Sequence, residues 1–411
     1  MKTFLVGGAV RDQLLGLPMK DRDWVVTGAT PEQMVELGYQ PVGKDFPVFL
    51  HPETKEEFAL ARTERKTSKG YHGFSFNASP EVTLEQDLLR RDLTINAIAQ
   101  DEQGKIHDFH NGRQDIENRV LRHVSPAFAE DPVRILRVAR FAARYAALGF
   151  TIAEETMQLM SDMVKAGEAD ALVAERVWQE TESALQEKQP EVFFETLRQC
   201  SALKVLFPDI DRLFGVPQPA KWHPEIDTGI HTMMVLQQAC LLSDDAATRF
   251  AALTHDLGKG TTPKDILPSH HGHEERSYDL LIDLCAKYRV PKRFSELAKL
   301  TARYHTHIHK AFEIKPKTIL KVLTACDIFR KPERFSQLLL ACKADSRGRT
   351  GFEQKDYPQL EFYEKAAECC RSVNVQDIIH EGYSGEQIKK ELHKRRLSVL
   401  KQLCSTLKPA H

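Results

Sequence analysis

Three groups of residues in this chain have types and spacings suited to chemistry. The first is Asp21-Arg22-Asp23, which follows Gly7-Gly8-Ala9-Val10-Arg11-Asp12 closely and runs into Trp24-Val25-Val26. The apolar run predicts a strand, and alternate side chains of a strand share a face. Asp21 and Asp23 then point the same way, with Arg22 on the other side. Two carboxylates on one face call for a cation. Hard divalent ions such as Mg²⁺ take carboxylate oxygens together with substrate phosphates, and two such ions align a hydroxyl with a nucleotide α-phosphorus. An isolated D-x-D is more often a surface loop or a helix cap, so the neighbouring residues decide.

The second group is rich in arginine. Thr3–Val6 predicts a short strand, broken by Gly7-Gly8 and followed by a helix from Val10 to Leu15. Strand, glycines and helix in that order bring backbone N–H groups up to a phosphate. Gly8 has no side chain to obstruct a triphosphate, and Arg11, one turn into the helix, can pair with it. A simple tight turn fits the same residues, and no GK[ST] follows as in a P-loop. In Leu88–Ala99, Arg90 and Arg91 stand beside Asp92 ahead of an apolar segment. They suit salt bridges or, next to a carboxylate metal site, triphosphate oxygens. In Glu130-Asp131-Pro132-Val133-Arg134, Asp131 can cap a helix whose first position suits Pro132. At helical spacing Arg134, Arg137, Arg140 and Arg144 form one band, with Phe141 inside it. Ile135, Leu136, Val138, Ala139, Ala142 and Ala143 form the apolar face. An arginine row suits phosphates and base edges, or a solvated basic face. Asp131 and Arg134, one turn apart, offer an acceptor and donors to the edge of a nucleobase.

The third group is histidine-rich. Nine of the 17 histidines fall between His223 and His309. His231 opens a helical stretch, and His255-Asp256 follow an apolar helix and precede Gly258-Lys259. His270, His271 and His273 cluster before another helix, and His305, His307 and His309 come next. An adjacent His-Asp with a distant His and Asp converges on an ion across a helix bundle. His231, His255, Asp256 and Asp345 make that set, and its donors suit a transition divalent ion that activates water. Whether His271 or His273 joins it stays open. His307 and His309 read as surface residues.

Positioning these groups takes two kinds of scaffold. The first part predicts further strands at Val48–Leu50, Glu57–Ala61 and Lys105–Phe109, with a helix over Pro31–Leu37. Arg62, Arg65, Lys66, Lys69 and Gly70 read as a basic loop. From Thr156 to Cys200 the pattern is helical, a boundary falls at Val216–Pro224, and the chain after Tyr357 is helical and charged. At 411 residues the chain has room for several cores. Lys+Arg of 57 against Asp+Glu of 58 excludes a globally basic surface, so nucleic acid would bind through a local patch. The eight cysteines all lie from Cys200 onward without CxxC spacing, which argues against a zinc ribbon or a disulfide frame. Arg11 and Asp12 come too early for a signal peptide, and no apolar run approaches the ~20 residues of a membrane span. The expectation is a soluble, cytoplasmic protein.

Taken together, GGAVRD, DRD, RRDLTINAIA and EDPVRILRVARF resemble the motifs of the class II tRNA nucleotidyltransferases, the CCA-adding enzymes, and of their bacterial poly(A) polymerase relatives, in the family's order. KWHPEIDTGIHT, HDLGKG and ADSRGRTGFE further resemble the bacterial branch that carries an HD phosphohydrolase domain. The resemblance implies an α+β chain: a polymerase-β-type nucleotidyltransferase α/β head (1–140), a helical neck and body (141–220), an HD domain (221–335) and a helical tail (336–411). It implies that Asp21 and Asp23 are catalytic and hold Mg²⁺, that Gly8 and Arg11 contact ATP or CTP, and that Arg91, Arg137 and Arg140 bind the nucleotide. Asp131 and Arg134 match the pair that reads the incoming base. For the HD part it implies phosphatase, 2′-nucleotidase and 2′,3′-cyclic phosphodiesterase activities with a transition metal, often Ni²⁺. His231, His255, Asp256 and Asp345 are the expected set, with His271, His273 and His305 as further candidates. Thr306 follows His305 where an acidic residue would make a further ligand. The function implied is addition and repair of the 3′-terminal CCA of tRNA from CTP and ATP, by a monomer or homodimer away from the membrane. A poly(A) polymerase is the alternative. The early first motif, the lack of a strongly basic tail and the HD domain argue against it.

Overall fold

Two neighbouring strands, β1 (Lys2–Val6) and β2 (Asp23–Thr27), organise the first part of the chain, with helix α1 (Gly8–Leu14) between them. The structure, a computed structural model, describes residues 1–19, 22–42, 48–66 and 74–407, apart from the side chains of 64–66, 74–76 and 407. Asp21 therefore lies outside the described residues. β1 and β2 are antiparallel, and their register sets Val6 opposite Asp23. This brings the end of β1, and hence Gly7 and Gly8, beside the first residue of the aspartate strand.

Helix α2 (Pro31–Glu36) opens with a capping box between Thr30 and Gln33 and has Pro31 in its first turn. Strands β3 (Gln40–Val42), β4 (Val48–Leu50) and β5 (Glu57–Leu60) follow. Of the residues read as a basic loop, Arg62 lies outside any strand, but Arg65 and Lys66 lie in strand β6 (Thr63–Lys66), paired with β7 (Phe74–Asn77). Its pairing partner is a separate segment, so composition alone does not reveal it. Lys69 and Gly70 lie outside the described residues. Helix α3 (Leu84–Leu89), strands β8 (Ile98–Asp101) and β9 (Ile106–Asp108), helix α4 (Gly112–Asn118) and the two-residue β10 (Val120–Leu121) complete this region.

The main sheet has the order β3-β4-β5-β2-β1-β8-β9. β2 pairs parallel with β5 and antiparallel with β1. Each face of the sheet has its own core. Phe4, Val6, Val25, Leu88, Ala97 and Ala99 cluster on one, and Val26, Met34, Phe49, Phe58 and Leu60 on the other. Burial of each large side chain contributes about 1.5–3 kcal/mol. By strand alternation Asp23 shares the face of Val25, and so of the Phe4–Leu88 core.

Helix α5 (Val133–Tyr145) carries the arginine band. The parallel bridge from β10 to β11 (Thr151–Ile152) clamps the segment around it. Helices α6 (Glu154–Lys165), α7 (Ala174–Leu185), α8 (Glu191–Gln199) and α9 (Ala202–Leu206) follow, with α7 and α8 packed on α5.

The chain forms two compact units, Met1–Leu206 and Phe207–His411. The second is helical: α10 (Pro208–Asp211), α11 (Thr228–Leu242), α12 (Ala246–Thr254), α13 (His273–Lys287), α14 (Lys292–His309), α15 (Pro316–Ala325), α16 (Pro332–Arg347), α17 (Pro358–Arg371), α18 (Val375–His380) and α19 (Glu386–Leu407). Within it, α11 packs on α12 and α16, and α14 on α12, α13 and α16. Among the described residues no helix is long and apolar enough to cross a membrane.

Candidate functional site

In the first unit a cavity of about 610 Å³ opens where β1 turns into α1. Gly7, Gly8 and Asp23 share its wall, as the Val6–Asp23 register requires. Gly7 has φ +67°, a backbone conformation that favours glycine, and a Cβ there would displace the tip of Arg91, whose Nη1 would lie 2.9 Å away. A Cβ on Gly8 would lie 3.4 Å from Arg11 Nη2. Eight arginines against four aspartates line the cavity. That excess of positive charge in a concave space suits a polyanion such as a triphosphate.

The arginines are held in place by the protein's own carboxylates. Buried Arg11 donates through Nε to Asp12 Oδ1 at 2.9 Å and through Nη1 to Asn96 Oδ1 at 2.5 Å. Its guanidinium lies 5.2 Å from the ring centroids of both Phe141 and Tyr145, and the Tyr145 hydroxyl donates to Asp12. Asn96 donates in turn to Asp92 at 2.9 Å, and Asp92 accepts from Arg137 Nε at 2.7 Å. Arg140 Nε donates to Glu180 at 2.6 Å. Arg91 sits 3.4 Å from Asp87, and its buried Nε has no hydrogen-bond partner among the described residues. Asp131 accepts the Val133 N–H at 3.0 Å, opening α5 one residue later than expected, with Pro132 as the cap. Arg134 is buried and donates to the carbonyls of Ala127 and Arg90 at 2.9 and 2.6 Å. Gly8, Arg11, Asp23, Arg91, Asp131, Arg134, Arg137 and Arg140 all line this one cavity. Sequence reasoning missed Asp12, Asn96, Tyr145 and Glu180. Asp92 and Asn96, four residues apart, carried a weak local signal. Glu180 lies 40 residues from Arg140 and carried none.

Burial pushes the Asp92 carboxyl up, but the Arg137 charge and the hydrogen bonds from Asn96, Arg137 and the Leu93 N–H outweigh it and hold it well below the ordinary range. Its folded value is below its unfolded one, so its contribution to stability is present above about pH 4 and is lost as pH falls further. Asp92→Asn is expected to lower stability at pH 7 by about 1–3 kcal/mol, less than for a fully buried pair because Arg137 is partly exposed. The loss should shrink at pH 3. Thermal melts at both pH values check this, and equal losses would contradict it.

In the second unit a chain of helices gathers the histidines. His231 lies one turn into α11, whose cap Asp227 accepts the Ile230 N–H. His255 and Asp256 directly follow α12, His273 begins α13, His305 and His309 sit near the end of α14, and Asp345 near the end of α16. His231 Nε2 is 3.1 Å from Asp345 Oδ1. His255 Nε2 is 3.1 Å from Asp256 Oδ2 and 3.6 Å from Asp345 Oδ2. His273 and His305 place Nε2 3.2 and 3.5 Å from Asp256 Oδ1.

The other ring nitrogens face carbonyls. Nδ1 of His231, His255, His273 and His305 lies 2.9, 2.7, 2.8 and 2.9 Å from the oxygens of Gly348, Ala252, His270 and Ala302. A nitrogen facing a carbonyl carries the proton, which assigns each neutral ring a lone pair on Nε2. Four lone pairs and two carboxylates therefore converge. Among the described residues, His255 Nε2 and Asp256 Oδ1 are buried without a hydrogen-bond partner. A divalent cation satisfies both, and the mixed nitrogen and oxygen donors suit it.

His309, expected at the surface, turns inward. Its Nε2 lies 2.6 Å from Asp345 Oδ2, and its Nδ1 meets the Tyr357 hydroxyl at 2.9 Å. Four residues after His305, it shares that residue's helix face, which was the overlooked signal. His307 is half-buried and meets the Tyr304 ring. Exposed His271 offers its carbonyl to Arg276 and belongs to none of the metal-capable groups found among the described residues. Lys259 was also missed. It reaches Asp256 at 2.5 Å and Gln218 at 2.6 Å.

Three family models match successive parts of the chain: the Poly A polymerase head domain over residues 3–122, the probable RNA and SrmB-binding site of polymerase A over 149–214, and the HD domain over 228–334. Among solved structures, a CCA-adding enzyme in complex with CTP is 21% identical with a TM-score of 0.64, covering 98% of this chain and 87% of that one. The Thermotoga maritima CCA-adding enzyme complexed with tRNA is 19% identical, with a TM-score of 0.63 over 99% and 91% of the two chains. These likenesses show the shared fold. The multifunctional CCA protein of Hahella chejuensis is 58% identical over 402 residues, 98% of this chain and 95% of that one. The multifunctional CCA protein of Thioalkalivibrio sulfidiphilus is 65% identical over 403 residues, 98% of each chain. Identity of that degree over 98% of the chain, together with matches to both the polymerase head and the HD domain models, means that the chain belongs to the multifunctional CCA protein family, nucleotidyltransferases that carry an HD domain.

Proposed function

We propose that this protein adds and repairs the 3′-terminal CCA of tRNA, using CTP and then ATP without a nucleic acid template, and that its second unit is a phosphohydrolase. The observation that carries the first part is the placing of Asp23 beside Gly7 and Gly8 on a cavity lined by eight arginines. Asp21 and Asp23 would hold Mg²⁺, which when bound lowers the pKa of the attacking 3′-hydroxyl and neutralises the leaving pyrophosphate. The chain's own groups bind and orient. Arg11, Arg91, Arg137 and Arg140 take triphosphate oxygens while their protein carboxylates keep them aimed. Gly8 lets the phosphates approach the backbone. Asp131 and Arg134 present an acceptor and donors to C and A edges. A wrong base leaves those groups unpaired, which excludes it strongly. The acceptor arm is held by phosphate contacts and shape.

For the second unit, the carrying observation is the orphaned pair His255 Nε2 and Asp256 Oδ1. His231, His255, Asp256 and Asp345 would hold a transition divalent ion, Ni²⁺ in this reading, which supplies an activated water. His273 and His305 are placed to share in it. The expected reactions are phosphatase, 2′-nucleotidase and 2′,3′-cyclic phosphodiesterase. We retain the head (1–140), neck and body (141–220), HD domain (221–335) and tail (336–411) as the functional division, acting in the cytoplasm as a monomer or homodimer.

Incubating the protein with tRNA that lacks CCA tests the first reading. Incorporation should need CTP before ATP enters. Tailing from ATP alone would favour a poly(A) polymerase, and binding without incorporation at any metal concentration would leave only a scaffold.

A further inference from the structure

His231 has a partner that the metal cluster does not explain. Its Nε2 faces Asp345, while Nδ1 faces outward to Gly348 O at 2.9 Å and to Glu225 Oε1 at 3.1 Å. The same carboxylate oxygen accepts from His223 Nδ1 at 3.0 Å. The Glu225 side chain is 2% exposed, and its buried Oε2 has no hydrogen-bond partner among the described residues. Burying a carboxylate with one oxygen unsatisfied is costly. The turn that delivers it is also strained. Ile226, the next residue, has φ +61°, a conformation that β-branched side chains rarely adopt. Hydrogen bonds from Gln218 N–H to Ile226 O at 2.7 Å and from Ile226 N–H to His223 O at 2.9 Å hold it there. Strain of this kind persists where surrounding structure over-determines it, and it gathers at functional sites.

We propose that Glu225 is a positioning residue for the hydrolase centre. Its negative charge, set on the Nδ1 proton of His231, strengthens Nε2 as a donor to the divalent ion; this rests on the hydrolase reading above. Gly348 O alone suffices to place the proton on Nδ1, so what Glu225 adds is charge. His223 supplies the second hydrogen bond that keeps the carboxylate there. An ion held by His223, Glu225 and His231 themselves would require His231 to ligate through both nitrogens and to give up its hydrogen bond to Gly348.

The test titrates the metal-free full-length protein with Co²⁺ against a competing chelator, following the visible band of the bound ion. Glu225→Gln keeps the shape and removes the charge. It is expected to bind the same number of ions about 10–100-fold more weakly, with a shifted band, with phosphohydrolase activity restored by added Co²⁺, and with nucleotide incorporation unchanged. Glu225→Asp, which keeps the charge on a shorter arm, should fall between wild type and Glu225→Gln. Unchanged affinity and band in Glu225→Gln would overturn the proposal, as would an Asp variant no better than Gln. Loss of one whole ion with the rest unaltered would also overturn it, in favour of a separate site. His255→Ala serves as the reference. If it leaves Co²⁺ affinity intact, the hydrolase reading fails. If it abolishes binding while Glu225→Gln does not weaken it, only the role given to Glu225 fails.

Discussion

Asp23→Ala is expected to lower nucleotide incorporation by roughly 10³-fold while leaving phosphohydrolase activity at its wild-type level. The carboxylate stands at the exposed start of β2, opposite Val6 and on the cavity wall with Gly7 and Gly8. It is solvent-exposed at the first residue of the strand, so the fold should tolerate alanine at a cost of about 1 kcal/mol or less. Its contribution is instead to charge stabilisation at the reacting phosphorus. A metal-assisted step of this kind is worth several kcal/mol, and each 1.4 kcal/mol or so is a decade of rate. The loss should appear in kcat and should not be recovered by raising CTP. A variant within tenfold of wild type would mean that the carboxylate is a structural feature of the strand. Single-turnover incorporation with a CCA-less tRNA makes the measurement.

The second large effect is the converse. His255→Ala should abolish phosphohydrolase activity, again by roughly 10³-fold, with CCA addition retained. His255 is the ring whose buried Nε2 makes no hydrogen bond among the described residues and faces both Asp256 and Asp345. It is buried in a helical unit, so alanine also costs packing energy, and a melting curve must accompany the assay. Hydrolysis of a 2′,3′-cyclic nucleotide, read beside nucleotide incorporation on the same preparation, separates loss of chemistry from loss of fold. Loss of both activities with an unaltered melt would mean that the chemistry has been divided wrongly between the two units.

How much of this was legible in the sequence depends on how local each signal is. The strand, glycine pair and first helix, and the arginine band of α5, follow from spacings within one element, and both appear as read. Non-local features did not announce themselves. The Val6–Asp23 register, which places the aspartate strand against the glycines, is a pairing between strands. Asp12, Asn96, Asp92 and Glu180 aim the cavity arginines, yet Glu180 arrives from α7. Arg65 and Lys66 were misread as loop because the partner strand of β6 is a separate segment. His309 was misread because histidines at the end of a charged helix look solvated, although its four-residue spacing from His305 placed both on one face. Asp21, the other half of the twin-carboxylate seat, is read from the D-x-D pattern.

The most direct single measurement reads the 3′ ends themselves. A tRNA transcript ending just before the CCA is incubated with the protein, Mg²⁺ and all four nucleoside triphosphates, and the product termini are sequenced. The account predicts ends of C, CC and CCA that accumulate at CCA and go no further, and unextended ends when Asp23→Ala is used. Homopolymeric adenosine tails, uridine or guanosine at the added positions, or normal CCA ends from the Asp23→Ala protein would contradict it.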